Sequence, residues 1–145
     1  MTFRREGKNS VPISKGEVEL LVEERLAIEA SRVGLLLSEV TAKHVLIPEP
    51  SLVSAYLTKD TDLSEVLMIA CDAVTAKFTD DTQFSLEVYR DPEIVDEYLA
   101  LYVRQSVYAD DILCRLREVY AAYASRLTDG SGWLQVTTDF APPAG

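Results

Sequence analysis

The chain has 145 residues, of which 48% are hydrophobic and 26% are charged, and its formal net charge is −10. A chain of this length forms about one domain and buries enough surface to fold without a disulfide or a structural metal. The negative charge argues against nucleic acid and anionic membranes as direct partners, because both repel an acidic protein.

The sequence carries no signal for a membrane or for export. No apolar run approaches the ~20 residues that span a bilayer, and no apolar stretch follows the basic N-terminus as it would in a secretory signal. Cys71 and Cys114 both stand within helical patterns, which is typical of thiols in a reducing compartment. We therefore expect a cytoplasmic protein.

The first half of the chain predicts two helices. Residues 1–12 carry three basic side chains and few apolar ones, and we expect a flexible tail there. Ser14 with Glu17 three residues later is typical of a helix N-terminus. The apolar residues that follow repeat at helical spacing and predict one long helix over residues 14–40: Val18, Val22, Leu26, Ala30, Val33, Leu37 and Val40.

Residues 41–60 have no sustained period. The stretch 45–47 is compatible with a short strand, which Pro48 and Pro50 would stop, and residues 51–57 fit a helical turn or two. Asp62 with Glu65 indicates the start of the second helix, which extends to Phe78.

After residue 82 the period changes from 3.6 to 2. Alternation over residues 84–89 and again over 98–104 predicts two strands in an antiparallel pair. A helix follows over residues 110–127, with the stop Asp129-Gly130, and residues 133–140 form the last strand. A helix between two strands favours a parallel crossover.

These elements predict an α+β protein with a small three-stranded mixed sheet, built as β-β-α-β and preceded by two helices. The single domain covers residues 13–140, and residues 141–145 form a C-terminal tail. Such a sheet is only ~10–15 Å wide and takes about two helices on one face. The first helix therefore needs another place: the far face of the sheet, a layer over the other helices, or a partner chain.

The candidate site is the sheet face turned away from the last helix. Six of the seven tyrosines lie between residues 89 and 123, and the alternation places several of them on that face. Aromatic residues with a polar tip, mixed with an arginine, are typical of interface centres. The predicted binding residues are Tyr89, Tyr98, Tyr102, Arg104 and Trp133. Alternatively, the first helix of the same chain covers this face.

Signals for catalysis, metals and cofactors are weak, so the sequence assigns no residue to them. His44 is the one histidine, and no second ligand stands near it at metal-site spacing. The glycine-rich stretch 129–132 follows a helix, whereas a phosphate loop precedes one. The paired acids fall at turns and helix starts, where local hydrogen bonding explains them.

The function that the sequence favours is protein–protein contact, as a homo-oligomer or as an accessory subunit of a protein partner. Nine acids against two arginines stand between residues 79 and 111, which suits a basic partner. The alternative is a small enzyme or a small-molecule-binding protein, with a site between sheet and helices that uses tyrosine hydroxyls and carboxylates.

Overall fold

A computed structural model describes residues 15–79, 81–94, 96–127 and 132–144, with side chains from residue 22 onward. Over these residues the chain forms four α-helices and a four-stranded sheet, so the predicted α+β class is confirmed. The elements are α1 (Lys15–Ala42), β1 (Val45–Leu46), α2 (Pro50–Lys59), α3 (Leu63–Lys77), β2 (Thr82–Asp91), β3 (Asp96–Gln105), α4 (Ile112–Tyr123) and β4 (Leu134–Thr137). No helix in the described ranges is both long and apolar enough to cross a membrane.

Two details of the prediction are wrong. The sheet has four strands rather than three, because Val45 and Leu46 pair in parallel with Phe84 and Ser85. Three helices rather than two precede β2, because the stretch expected to make a helical turn or two forms a full helix, α2, that begins at Pro50. Proline is tolerated in the first helical turn, where its missing N–H would have had no partner.

The strands lie in the order β1-β2-β3-β4. Strands β2 and β3 form an antiparallel hairpin whose pairing extends from Thr82–Gln105 to Asp91–Asp96. Strand β4 runs parallel to β3, with Leu99 opposite Leu134, as a helical crossover requires.

One face of the sheet carries the core. The side chains on this face are those that the alternation along the strands predicted to face the helix. Most of them are buried against the helices: Phe84, Leu86, Leu99, Leu101, Val103, Leu134 and Val136. Period-2 alternation therefore located this face correctly.

The helix α1 takes the second of the three predicted places. Its C-terminal part packs on α2, α3 and β1 and buries Val33 and Val40. Its N-terminal part extends beyond these packing partners. Val22 and Leu26 there are 52% and 51% exposed.

Neither sheet edge offers a free strand for pairing. Strand β1 has two residues, and short edge strands give little template for another chain. On β4, the hydroxyl of buried Tyr123 donates to the Leu134 carbonyl at 3.1 Å and accepts from the Val136 N–H at 3.1 Å. The backbone groups of residues 133 and 135 point toward β3, so those of residues 134 and 136 point away from the sheet. The Leu134 carbonyl and the Val136 N–H are therefore the groups that an added strand would use, and Tyr123 already binds both.

Asp62 stands at the start of α3 as predicted, but its side chain makes no capping hydrogen bond. Asp111, at the start of α4, makes none either. The Asp111 carboxylate instead accepts from Arg115 at 3.1 Å. The predicted tail over residues 1–12, the cap at Ser14 and the stop at 129–130 lie outside the described residues.

Candidate functional site

The second face of the β2–β3 hairpin carries none of the described helices, because these pack on the core side. We call it the open face. Antiparallel pairing places its residues in five directly opposed pairs: Asp91–Asp96, Tyr89–Tyr98, Glu87–Ala100, Ser85–Tyr102 and Gln83–Arg104. Ser85 and Ala100 are buried, because both are small and stand between larger neighbours.

Two tyrosine rings stack near the turn end of the open face. The ring centroids of Tyr89 and Tyr98 lie 4.9 Å apart with an interplanar angle of 29°, and both side chains are partly exposed. Burial raises the pKa of Tyr98, and the carboxylates of Asp96 and Asp91 raise it further. The pair therefore presents an aromatic surface beside negative charge.

Arg104 lies toward the other end of the open face and is held by internal partners. Its guanidinium lies 4.8 Å from the Tyr102 ring centroid and donates to both carboxylate oxygens of Asp139, at 3.1 Å and 2.8 Å. A further N–H donates to Glu87 at 3.3 Å, and the Arg104 side chain is only 14% exposed. Hydrogen bonding to Asp139 raises the pKa of Arg104 and lowers that of Asp139. The predicted binding residue Arg104 thus fixes the chain after β4.

The C-terminal segment, residues 138–144, covers the same end. The Gln83 side-chain amide exchanges two hydrogen bonds with the backbone of Ala144, at 2.8 Å and 3.1 Å. The Tyr108 hydroxyl donates to the Ala141 carbonyl at 2.6 Å, and its ring lies 5.1 Å from that of Phe140. The segment leaves the Tyr89–Tyr98 end of the open face uncovered.

Three acids stand at this end, and none of them pairs with a cation of the described residues. Asp91 and Asp96 follow the tyrosine pair on the open face, and Glu93 stands in the turn. Asp91 accepts the Glu93 N–H at 2.9 Å, but no described cation forms a salt bridge with any of the three. The nearby Arg90 points to the other face and pairs with Glu97.

Four of the five predicted site residues therefore share one face of the hairpin, whereas Trp133 lies at the sheet edge. Trp133 precedes β4, is 42% exposed and lines a groove of about 470 Å³ beside α4 with Leu113 and Tyr120. The backbone N–H of Trp133 donates to the Tyr56 hydroxyl at 3.1 Å.

Asp91 and Asp96 were not predicted as members of the face, because the first predicted strand ended at residue 89 and the second began at residue 98. Extending the alternation by two residues on each strand would have found both. The Tyr123 hydroxyl had no predicted role either.

Other reactive groups do not converge on this face. His44 is exposed and takes a φ of 67° just after α1, where the chain leaves the helix. Burial raises the pKa of the Cys71 thiol to about 12, so it stays protonated at neutral pH. In the ranges that the structure describes, no three His, Cys, Asp or Glu side chains are grouped to hold a metal ion.

Comparisons of this chain with protein families, with curated proteins and with solved structures found no match.

Proposed function

We propose that this protein acts by binding another protein through the Tyr89–Tyr98 end of the open face, and that the partner presents basic side chains there. One observation carries the proposal. The stacked tyrosines are flanked by Asp91 and Asp96, and neither a described helix nor a described cation covers this group.

The residue types fit such a partner. Tyrosine buries a large apolar ring at low entropic cost and keeps a polar tip, which makes it common at interface centres. A lysine or arginine over such a ring gains about 0.5–1 kcal/mol at an exposed site. Carboxylates beside the ring add charge attraction, and a net charge of −10 speeds encounter with a basic surface.

The alternative of a small-molecule site between sheet and helices has one opening among the described residues, the groove of about 470 Å³ between α4 and β4. The centre of these layers is instead a closely packed apolar core, with Leu57, Leu67, Leu86 and Leu101 at 0% exposure.

The test compares Tyr89→Ser/Tyr98→Ser with wild type and with Tyr120→Ser. Tyr120 is a matched control because it is 36% exposed on α4, outside the open face. Proteins captured by wild type are identified, purified and measured individually by titration. We expect a basic partner whose affinity falls about tenfold or more in the double variant and stays unchanged in Tyr120→Ser.

A second variant, Asp91→Asn/Asp96→Asn, tests the charge term. We expect this variant to bind the partner more weakly than wild type does. The difference in affinity should shrink as the salt concentration rises, because salt screens exposed charges. Folding is checked by urea unfolding, since loss of one cross-strand pair costs only about 0.2–1 kcal/mol. The proposal is refuted if every captured protein binds wild type and the tyrosine variant equally well. It is also refuted if wild type captures no protein.

A further inference from the structure

The groove of about 470 Å³ between α4 and β4 opens at the edge of the core. Leu116 and Val136 line it and belong to the buried cluster that forms the core. Leu113, Tyr120 and Trp133 also line it, and all three are exposed. A largely apolar groove of this volume, with a few polar groups in its lining, is typical of sites for small molecules.

Backbone pairing does not explain what the groove could bind. An added strand at this edge would need the outward Leu134 carbonyl and Val136 N–H, and the Tyr123 hydroxyl already binds both groups. A ligand in the groove is therefore recognised by side chains.

The polar groups that these side chains offer are mainly hydrogen-bond donors. Among the described residues, Arg117 is the only charged one that lines the groove. Its guanidinium and the indole of Trp133 can only donate, and the Tyr120 hydroxyl can donate as well. None of these three groups bonds to a described residue. The chain carries 24 acidic residues, yet none of the lining residues is acidic, so the groove suits an anion.

The position of Arg117 on α4 explains why it lacks a partner. The residues three and four positions away are its neighbours on the helix surface, and none of them is acidic: Leu113, Cys114, Tyr120 and Ala121. By contrast, Arg115 pairs with Asp111 one turn away, and Glu118 pairs with Lys77. The charge of Arg117 is therefore available to a ligand in the groove.

We propose that this groove binds an organic carboxylate with an apolar, aromatic body. The body packs against Leu113, Leu116 and Trp133, and the carboxylate accepts hydrogen bonds from the Arg117 guanidinium, whose planar fork matches the two carboxylate oxygens. The acids elsewhere on the chain repel an anion only weakly at physiological ionic strength, because salt screens exposed charges beyond about 8 Å.

This inference is independent of the proposed function. The groove shares no lining residue with the Tyr89–Tyr98 end of the open face. A ligand at α4 and β4 can therefore be present or absent whether or not a protein binds the open face.

The test titrates 4-tert-butylbenzoate into the full chain and measures binding by calorimetry and by the fluorescence of Trp133, the only tryptophan. The matched probe is 4-tert-butylbenzamide, which has the same apolar body without the charge. We expect the benzoate to saturate the protein with a dissociation constant of about 1 mM or below. The amide should bind about tenfold more weakly, because it lacks the charge-assisted hydrogen bonds.

Two variants locate the carboxylate. Arg117→Gln should weaken benzoate binding about tenfold and leave amide binding unchanged. Arg25→Gln is the matched control, because Arg25 is also exposed on a helix and forms no ion pair with a described residue, but it lies outside the groove. It removes the same charge and should leave both affinities unchanged. Urea unfolding checks that both variants are folded.

Four results would overturn the inference. They are the absence of saturable benzoate binding, equal affinities for benzoate and amide, binding that leaves the fluorescence of Trp133 unchanged, and equal losses in Arg117→Gln and Arg25→Gln.

Discussion

Tyrosine hydroxyls connect segments that are distant in the sequence. The Tyr123 hydroxyl bridges two backbone groups of β4. The Tyr56 hydroxyl accepts from the backbone N–H of Trp133 and donates to the Glu97 carbonyl at 3.3 Å. Tyr108 holds the C-terminal segment in the same way. The apolar rings fill the core or its margin, and the hydroxyls satisfy backbone groups that would otherwise be buried without partners.

Tyr123→Phe should lower the free energy of unfolding by about 1–3 kcal/mol, because it leaves the Leu134 carbonyl and the Val136 N–H unsatisfied. Urea unfolding measures the change. Tyr120→Phe is the control, since its hydroxyl bonds to no described residue, and it should stay within about 0.5 kcal/mol. Equal losses in both variants would contradict the bridging role.

Gly132 has no room for a side chain. An added Cβ would lie 2.6 Å from the Asp60 carboxylate, 2.8 Å from Leu63 and 2.9 Å from the Tyr56 ring. We expect Gly132→Ala to cost about 1–3 kcal/mol. Gly34→Ala, with nothing within 4 Å, should instead stabilise α1 by up to about 1 kcal/mol. Calorimetric melting of both variants checks the opposite signs.

The pair Arg104–Asp139 gives stability a pH dependence of known sign. The hydrogen bond from Arg104 lowers the pKa of folded Asp139 below its ordinary 3.8. The pair therefore stabilises the fold above that value and loses the effect as pH falls through the lowered pKa. Asp139→Asn should be less stable than wild type at pH 6, and the difference should shrink below about pH 4. Urea midpoints from pH 6 to pH 2.5 measure it, and a constant difference would argue against the pair.

At the scale of elements, the hairpin and α4 contribute residues to the same buried cluster. Leu101 is 0% exposed on β3, opposite Leu86 and Val136, and Leu116 is 7% exposed on α4. The alternation on the strand and the helical spacing on α4 each place these residues on a buried side. Among the described side chains of α1, those that are buried are Val33 and Val40, both in its C-terminal part.

Leu101→Ala and Leu116→Ala should each lower the free energy of unfolding by about 2–5 kcal/mol, through lost burial and the cavity left behind. Leu113→Ala on the same helix is the control, because Leu113 is 54% exposed. A loss below about 1 kcal/mol at both buried sites would mean that the helix face or the strand register is wrong.

At the scale of the whole molecule, the fold is a stack of layers: α1 outside, the other helices next, then the sheet. This order keeps the exposed N-terminal part of α1, with Val22 and Leu26, apart from the open face. Because they share no residues, substitutions on one should not alter contacts on the other.

Chelation should leave the melting temperature unchanged, because the described residues include no grouped set of metal ligands. Melting with and without EDTA measures this. A fall of several degrees would contradict the expectation, since a bound metal stabilises the folded state by mass action.

The spacing of apolar residues along the chain determined most of the helices and strands and the faces that they bury. Residues 84–88 and 99–103 alternate so regularly that the sequence alone separates the core face from the open face and places Tyr89, Tyr98 and Tyr102 together. This works because side chains on a strand alternate whatever the rest of the chain does. The apolar residues at helical spacing predicted helix α1 equally well, but they did not show which part of the helix is buried.

Tertiary structure decided what depends on distant partners. A two-residue strand has no period, so β1 is recognised only by its pairing with Phe84 and Ser85. Arg104 was expected at an interface, yet a carboxylate 35 residues away holds it. The bond of Tyr123 to β4 likewise depends on the chain's path after α4. Such contacts form only once the fold brings the two segments together, and no spacing along the sequence encodes them.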